Sequence, residues 1–316
     1  MIYIITQELA YENTRCRILI QPSFKCRKYN TEYGICINEN CEKVISKYLM
    51  PNYENQIQLI FTSPPFPLNR AKNYGNLTGQ DYKDWLCNIG VKLLPLLKDN
   101  GSIVIEVGNA WNAGEPTFST LPIETLLEFK TTCNLFLCQE FVYYNPARLP
   151  SPIEWVNKKR IRVKDSFTRI WWLSKTPNPF ADNSAVQVDY SDQMLKLLRT
   201  GKYNSGKRPS EHKISKTAFS INNGGAIPSN VIIASNTESK SKYLEKCKAN
   251  GLIVHPARMP YQIPRFFIKM LTNENDIVLD CFAGSNTTGF CAEELKREWI
   301  SIEINKEYYM GSKYRF

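Results

Sequence analysis

Apolar residues recur along the chain in two periods. Ile57-Gln58-Leu59-Ile60, Ser102-Ile103-Val104-Ile105-Glu106-Val107-Gly108, Leu135 to Tyr144, Arg169-Ile170-Trp171-Trp172-Leu173, Asp276-Ile277-Val278-Leu279-Asp280 and Trp299-Ile300-Ser301-Ile302-Glu303 are short apolar runs. Runs of this kind, bounded by turn residues, predict strands, and the near-continuous ones predict burial on both faces, as in a parallel sheet. Between them, Glu39 to Leu49, Asp81 to Leu97, Leu121 to Phe129, Pro264 to Leu271 and Thr287 to Arg297 have helical spacing. Pro51 follows the first of these, and Asn100-Gly101 ends the second. Alternating strands and helices predict an α/β fold. The first thirty residues carry little pattern beyond a brief apolar start.

From Lys175 to Asn250 the pattern changes to polar, Pro/Gly/Asn/Ser-rich sequence with turn signals at Gly201, Asn204-Ser205-Gly206 and Asn222-Asn223-Gly224-Gly225. Phe219, Ile227, Val231 and Ile232 are interleaved, as expected of an ordered, loop-rich module. The chain therefore divides into 1–176, an insert at 177–250, and 251–316, which returns to the first domain. Between Lys196 and Lys216 seven Lys/Arg face the single acid Glu211. The 316-residue chain as a whole has 40 Lys+Arg against 30 Asp+Glu, a net charge of +10. That excess favours a polyanionic partner such as nucleic acid. Ten cysteines form no C-x-x-C pair and there are two histidines, so a zinc site is not expected. Reduced thiols, no signal-peptide pattern at Met1-Ile2-Tyr3-Ile4-Ile5 and no run of roughly 20 apolar residues predict a cytosolic protein.

Two stretches carry chemistry. In Ser63-Pro64-Pro65-Phe66, two prolines end the preceding strand and stiffen a bend at its C-terminal end, the edge where open α/β sheets bind ligands. The bend offers a hydroxyl, peptide carbonyls without local partners and an aromatic face. Acceptors that hold both protons of an exocyclic amino group favour a pyramidal, nucleophilic nitrogen, and Phe66 is suited to stack on a base turned out of its helix. Alone, the motif is better read as a proline-capped strand leading into a loop, and it is the other stretches of the chain that favour chemistry. Glu106, an acid inside an apolar strand, is the candidate for polarising Ser63, and a buried salt-bridged acid is the alternative.

The second stretch is Asp280-Cys281-Phe282-Ala283-Gly284-Ser285-Asn286-Thr287-Thr288-Gly289, with Glu303 at the end of the next strand. Small residues let backbone approach a ligand, and an acid about 20 residues on accepts from ribose hydroxyls. The full G-x-G-x-x-G pattern and a Walker lysine are both absent, and Asp280 would repel phosphate while welcoming a sulfonium. S-adenosylmethionine is the cofactor this predicts. Candidate contacts are Asp280, Phe282, Gly284, Ser285, Asn286, Thr287, Thr288 and Glu303.

With these motifs the chain resembles the β-class amino-methyltransferases that act on DNA, and within them the cytosine-N4 group and its PvuII-like branch. The likeness covers most of residues 60–316 and includes Asn73 to Leu77, Leu149-Pro150-Ser151-Pro152-Ile153-Glu154-Trp155-Val156-Asn157-Lys158 and His255-Pro256-Ala257-Arg258. It implies a Rossmann-like methyltransferase sheet, mostly parallel with one antiparallel edge strand, in circularly permuted motif order, and a target-recognition region in the insert. It adds His255 and Pro256 to the cofactor set. It also implies double-stranded DNA as substrate, a bacterial host, a possible cognate restriction endonuclease, a monomer or weak dimer, and CAGCTG as the target. Asn286 replaces the second loop glycine of the wider class, and no acid counterpart is expected among Ile35 to Asn40. Lys158, Lys159, Arg160, Arg162, Lys207, Arg208 and His212 are candidate DNA contacts. Ser-Pro-Pro at the corner favours cytosine-N4 over adenine-N6 methylation. Carbon-5 methylation is disfavoured because no proline is followed by cysteine. A DNA-binding protein without transferase activity, and an RNA or nucleotide methyltransferase, remain as alternatives.

Overall fold

A computed structural model describes residues 18, 24–66, 77–201, 206, 207, 209, 213, 214, 221–235 and 241–316. The strands in chain order are β1 (Arg27–Asn30), β2 (Gly34–Asn38), β3 (Ile57–Thr62), β4 (Leu97–Val107), β5 (Phe136–Tyr144), β6 (Phe167–Ser174), β7 (Gly206–Lys207), β8 (Lys213–Ile214), β9 (Val231–Ile233), β10 (Ile277–Asp280) and β11 (Glu298–Ile302). The helices are α1 (Cys41–Val44), α2 (Gly79–Leu93), α3 (Leu121–Thr132), α4 (Asp192–Thr200), α5 (Lys242–Ala249), α6 (Gln262–Leu271), α7 (Thr287–Glu294) and α8 (Lys306–Ser312).

The described residues form one nine-stranded sheet in the order β1-β2-β11-β10-β3-β4-β6-β5-β9. From β2 to β4 every neighbour is parallel, the pattern expected of the near-continuous apolar runs. All six residues of β3 are buried, and alternate side chains serve opposite layers. Ile60 joins the core shared with Val44, Leu86 and Phe129 of α1, α2 and α3. Phe61 faces the other way, 5.7 Å from the ring of Phe267 in α6, which in turn stands 5.0 Å from Phe141 of β5.

The sheet departs from the expected form at one point. The antiparallel strand is not confined to an edge: β6 runs antiparallel between β4 and β5, and β1 is antiparallel to β2 at the edge. The β1–β2 reversal follows from the short connection between Asn30 and Gly34, since a tight hairpin reverses the chain, whereas β6 reaches its antiparallel place only after the long connection 145–166.

Several element boundaries also differ. The first helix continues from Cys41 through a π turn at Ile45–Leu49 and a last turn at Met50–Asn52, so Pro51 sits inside it, in the first turn of that last segment. The second helical run ends in a tight turn at Leu94–Leu96 rather than at Asn100-Gly101, and β4 starts at once because Leu97 pairs with Ile57. A register shift between Ile57 and Leu59 absorbs the Asn-Gly pair within the strand. The last two helices of the expected set start at Gln262 and stop at Glu294.

Contacts divide the chain into two compact units, residues up to Ala181 with Asn230–Phe316, and Asp182–Ser229. The second unit contains a short turn at Asn183–Val186, α4 with its Ser191 cap, the β7–β8 pair and a bridge between Val188 and Ala226. Residues 230–250 contribute β9 and α5 to the first unit. No helix among the described residues is long and apolar enough to cross a membrane.

Candidate active site

Parallel pairing brings the ends of β3 and β10 side by side, with Ile60 opposite Leu279 and, on the other flank of β3, Thr62 opposite Ile105. The residues that follow are Ser63, Cys281 and Glu106. They open onto one cavity of about 610 Å³ in the first unit, a volume within the usual range of small-molecule sites. Ser63, Pro64, Pro65, Phe66 and Glu106 form one part of its wall, and Asp280, Phe282, Gly284, Ser285, Thr287, Thr288, His255 and Glu303 another.

Asp280 connects the two parts. Its Oδ1 accepts from the Thr62 hydroxyl at 2.9 Å and from the Phe282 N–H at 3.0 Å, and its Oδ2 accepts from the Thr288 hydroxyl at 2.6 Å. The carboxylate expected to face a ligand is thus first a structural acceptor that ties the strand before the bend to the loop and to α7. Burial raises its pKa against the pull of those donors.

Glu303 is held in a similar way. Oε2 accepts from the Gly284 N–H and Oε1 from the Asn305 N–H, both at 2.7 Å. Burial pushes its pKa up to about 7; the two N–H bonds pull it down and Asp280 raises it further. Each oxygen keeps a second lone pair for hydroxyls of a ligand. Gly284 has φ +52°, a left-handed conformation, and an added Cβ would lie 3.1 Å from the His255 ring, so both backbone shape and space call for glycine. His255 in turn meets Tyr308 edge-on at 4.5 Å.

Asn286 also has left-handed dihedrals, φ 57° and ψ 44°, which asparagine tolerates better than most residues. Its Oδ1 accepts from the Gly289 N–H at 3.1 Å and the Ser301 hydroxyl at 2.7 Å, while Nδ2 donates to the Tyr29 hydroxyl at 3.0 Å. The side chain that replaces glycine is therefore turned into the protein, where it caps α7, and the cavity wall passes from Ser285 to Thr287. Pro256 is exposed and off the wall.

At the bend, Ser63 hydrogen-bonds the Glu106 carboxyl. Burial pushes Glu106 up to about 7, while the Ser63 bond and the charge of Arg148 draw it down. Phe66 packs against Gly108, whose missing Cβ would stand 2.4 Å from the ring.

Several wall residues escaped the sequence reading. Glu39 and Asn40 reach the cavity from the end of β2, in the stretch where no acid counterpart was expected. A hydrogen bond from Lys43 is the main cause that holds Glu39 below its usual pKa. Trp85 of α2 stands 5.4 Å from Phe282, and the β5–β6 connection contributes Asn145 and Arg148. Arg148 donates to the Phe167 carbonyl at 3.1 Å and the Thr168 hydroxyl at 2.9 Å. An arginine in a proline-rich loop gives no local signal of this position.

Lys158 and Lys159 are exposed and both approach Glu154, at 3.1 and 3.8 Å, and Lys159 lies 4.4 Å over the Trp155 ring. Arg160 is exposed with φ 54°, and Arg162 donates to the Pro116 and Ile161 carbonyls at 2.9 and 2.7 Å. The Lys207 side chain, Arg208, His212 and residues 73–76 of the resemblance lie outside the described residues. Among the described residues no group of three or more His, Cys, Asp or Glu is arranged to hold a metal ion.

Residues 57–313 match the N6/N4 DNA methylase family. The type II methyltransferase M.PvuII of Proteus hauseri is 45% identical over 265 residues, covering 83% of this chain and 79% of the relative. M.BglII of Bacillus subtilis is 26% identical over 258 residues, covering 81% and 62%. Among solved structures, the PvuII DNA methyltransferase, described as cytosine-N4-specific, superposes with a TM-score of 0.73 at 37% identity, covering 91% of this chain and 88% of that one. A complex of M1.HpyAVI with SAM shares the fold at a TM-score of 0.54 and 19% identity, over 89% and 97%.

Thr62→Val removes one donor from a buried carboxylate without changing shape, so unfolding in urea should show a loss of about 1–3 kcal/mol. Gly108→Ala should instead leave stability less affected than the seating of Phe66, read as altered quenching or NMR shifts of that ring.

Proposed function

The chain belongs to the N6/N4 DNA methylase family, and from that premise we propose that it methylates the exocyclic N4 of a cytosine turned out of duplex DNA, with S-adenosylmethionine as donor. The observation that carries this reading is the single cavity onto which the Ser-Pro-Pro-Phe bend and the Asp280–Gly284 loop both open. The wall chemistry fits the donor. Carboxyl groups of Asp280, Glu303 and Glu39 suit a cation better than a phosphate, and the Phe282 and Trp85 rings offer apolar faces to a nucleoside. When bound, S-adenosylmethionine supplies an electrophilic methyl on positively charged sulfur.

The residues of this chain do the rest. Glu303 accepts ribose hydroxyls through its remaining lone pairs, and Gly284 lets backbone approach closely. Phe66, seated on Gly108, stacks on the everted base. The Ser63 hydroxyl donates to Glu106, which leaves its oxygen lone pairs to accept one amino proton, and a carbonyl beside Pro64 accepts the other. As the nitrogen acquires its methyl group it must shed a proton. Ser63 takes that proton and passes its own to Glu106, which is basic enough at about 7 to receive it.

Exposed Lys158, Lys159 and Arg160 contact phosphates, and the insert reads the target sequence. The kinship to type II methyltransferases supports a role as the modification enzyme of a bacterial restriction–modification system. In that role the protein works in the cytoplasm beside a cognate endonuclease, as a monomer or weak dimer.

Ser63→Ala should retain cofactor binding by calorimetry but lose at least about 100-fold in methyl transfer from labelled donor to DNA. Near-wild-type turnover would remove Ser63 from the mechanism. The pH dependence has a definite sign. Glu106 must be ionised to receive the proton, so kcat/KM for DNA at saturating cofactor should rise with pH through about 7 and level off above it. Saturation with cofactor separates this limb from titration of Glu303. Glu106→Gln should flatten the limb at a low rate; an unchanged profile would assign it to another group.

A further inference from the structure

Between β5 and β6 the chain makes a long excursion whose apolar residues point into solvent. Leu149 is 80% exposed, Val163 86% and Ile153 61%. Single exposed aliphatics are ordinary, but several on one loop mark a contact surface. Backbone bonds fix the excursion at its base: Asn145 N–H to the Ser166 carbonyl at 2.8 Å and Asp165 N–H to the Ser151 carbonyl at 3.1 Å. Lys164 adds bonds to the carbonyls of Pro146 at 3.0 Å and Arg148 at 3.3 Å. Leu149 is thus presented on a braced support. Its neighbour Arg148 lines the same cavity as Ser63, so the exposed side chain starts one residue from the wall.

Charge selects the occupant. The same loop carries Lys158, Lys159 and Arg160, all exposed, which suits a polyanion rather than an apolar protein face. Resting on the reading of this site as one that takes an everted cytosine, we propose that Leu149 enters the duplex and fills the space the base vacates. Everting a base sacrifices stacking, and apolar side chains inserted between base steps are a known physical means of holding a duplex in an unstacked form. An aliphatic side chain already 80% exposed gives up little protein contact on insertion.

The test compares wild type, Leu149→Ala and Leu149→Met on a short duplex containing the enzyme's mapped site, with the target cytosine paired to guanine or facing an abasic position. An unpaired target everts with little help, so the abasic duplex makes the wedge dispensable. Leu149→Ala should lower kcat/KM on the paired duplex by roughly 10- to 100-fold. It should return to within about threefold of wild type on the abasic duplex, with cofactor binding by calorimetry unchanged. Leu149→Met, which keeps the apolar bulk, should stay near wild type on both. Equal losses on the two duplexes, or no loss on the paired one, would overturn the wedge while leaving the methylation reading intact. A wild type that transfers no methyl group to either duplex would overturn both.

Discussion

The site depends on one bond between segments 218 residues apart, the hydrogen bond from the Thr62 hydroxyl to Asp280. It forms because β3 and β10 are parallel neighbours, so their C-terminal ends arrive at the same edge of the sheet. Beyond that bond the backbones separate. One turns into the proline-stiffened bend and the other into the loop closed by Gly284 and Glu303. Asp280 also accepts from Phe282 and Thr288, so a single buried carboxylate fixes the strand, the loop and the start of α7. In the proposed reading the two stretches, which line one cavity, hold donor and base on rigid elements, as positioning catalysis requires.

Two other buried carboxyls in this wall have pKa values pushed up to about 7, and burial dominates both. Their surroundings fit the different roles proposed for them. Glu303 has two backbone N–H donors and serves as a fixed acceptor. Glu106 has the hydroxyl of Ser63 and the nearby charge of Arg148, an environment that suits the proton exchange proposed for it. A neutral serine at the corner can act as acceptor because an acid stands behind it.

Much of this was legible in the chain. Apolar runs marked the central strands, because strands buried on both faces leave no room for polar residues. The neighbouring ends of β3 and β4 followed from their parallel arrangement, and the Ser63–Glu106 bond is its consequence. Other features were hidden for identifiable reasons. Asn286 has the composition of a ligand-loop residue, but its left-handed backbone turns the amide inward, where it caps α7. Asp280 reads as a bare charge until Thr62, remote in sequence, and Thr288, which reads as a ligand contact of the loop, supply donors. Glu39 and Arg148 reach the wall from loops whose course depends on tertiary packing rather than local pattern. The antiparallel entry of β6 between β4 and β5 is a matter of topology, which strand periodicity does not encode.

The central claim is that this cavity delivers a methyl group to the exocyclic nitrogen of cytosine. The most direct measurement is mass spectrometry of nucleosides from bacterial DNA that lacks native methylation, incubated with the wild-type protein and S-adenosylmethionine carrying a labelled methyl group. The account predicts label in N4-methyldeoxycytidine alone. Label in N6-methyldeoxyadenosine or 5-methyldeoxycytidine, or none in any nucleoside, would contradict it.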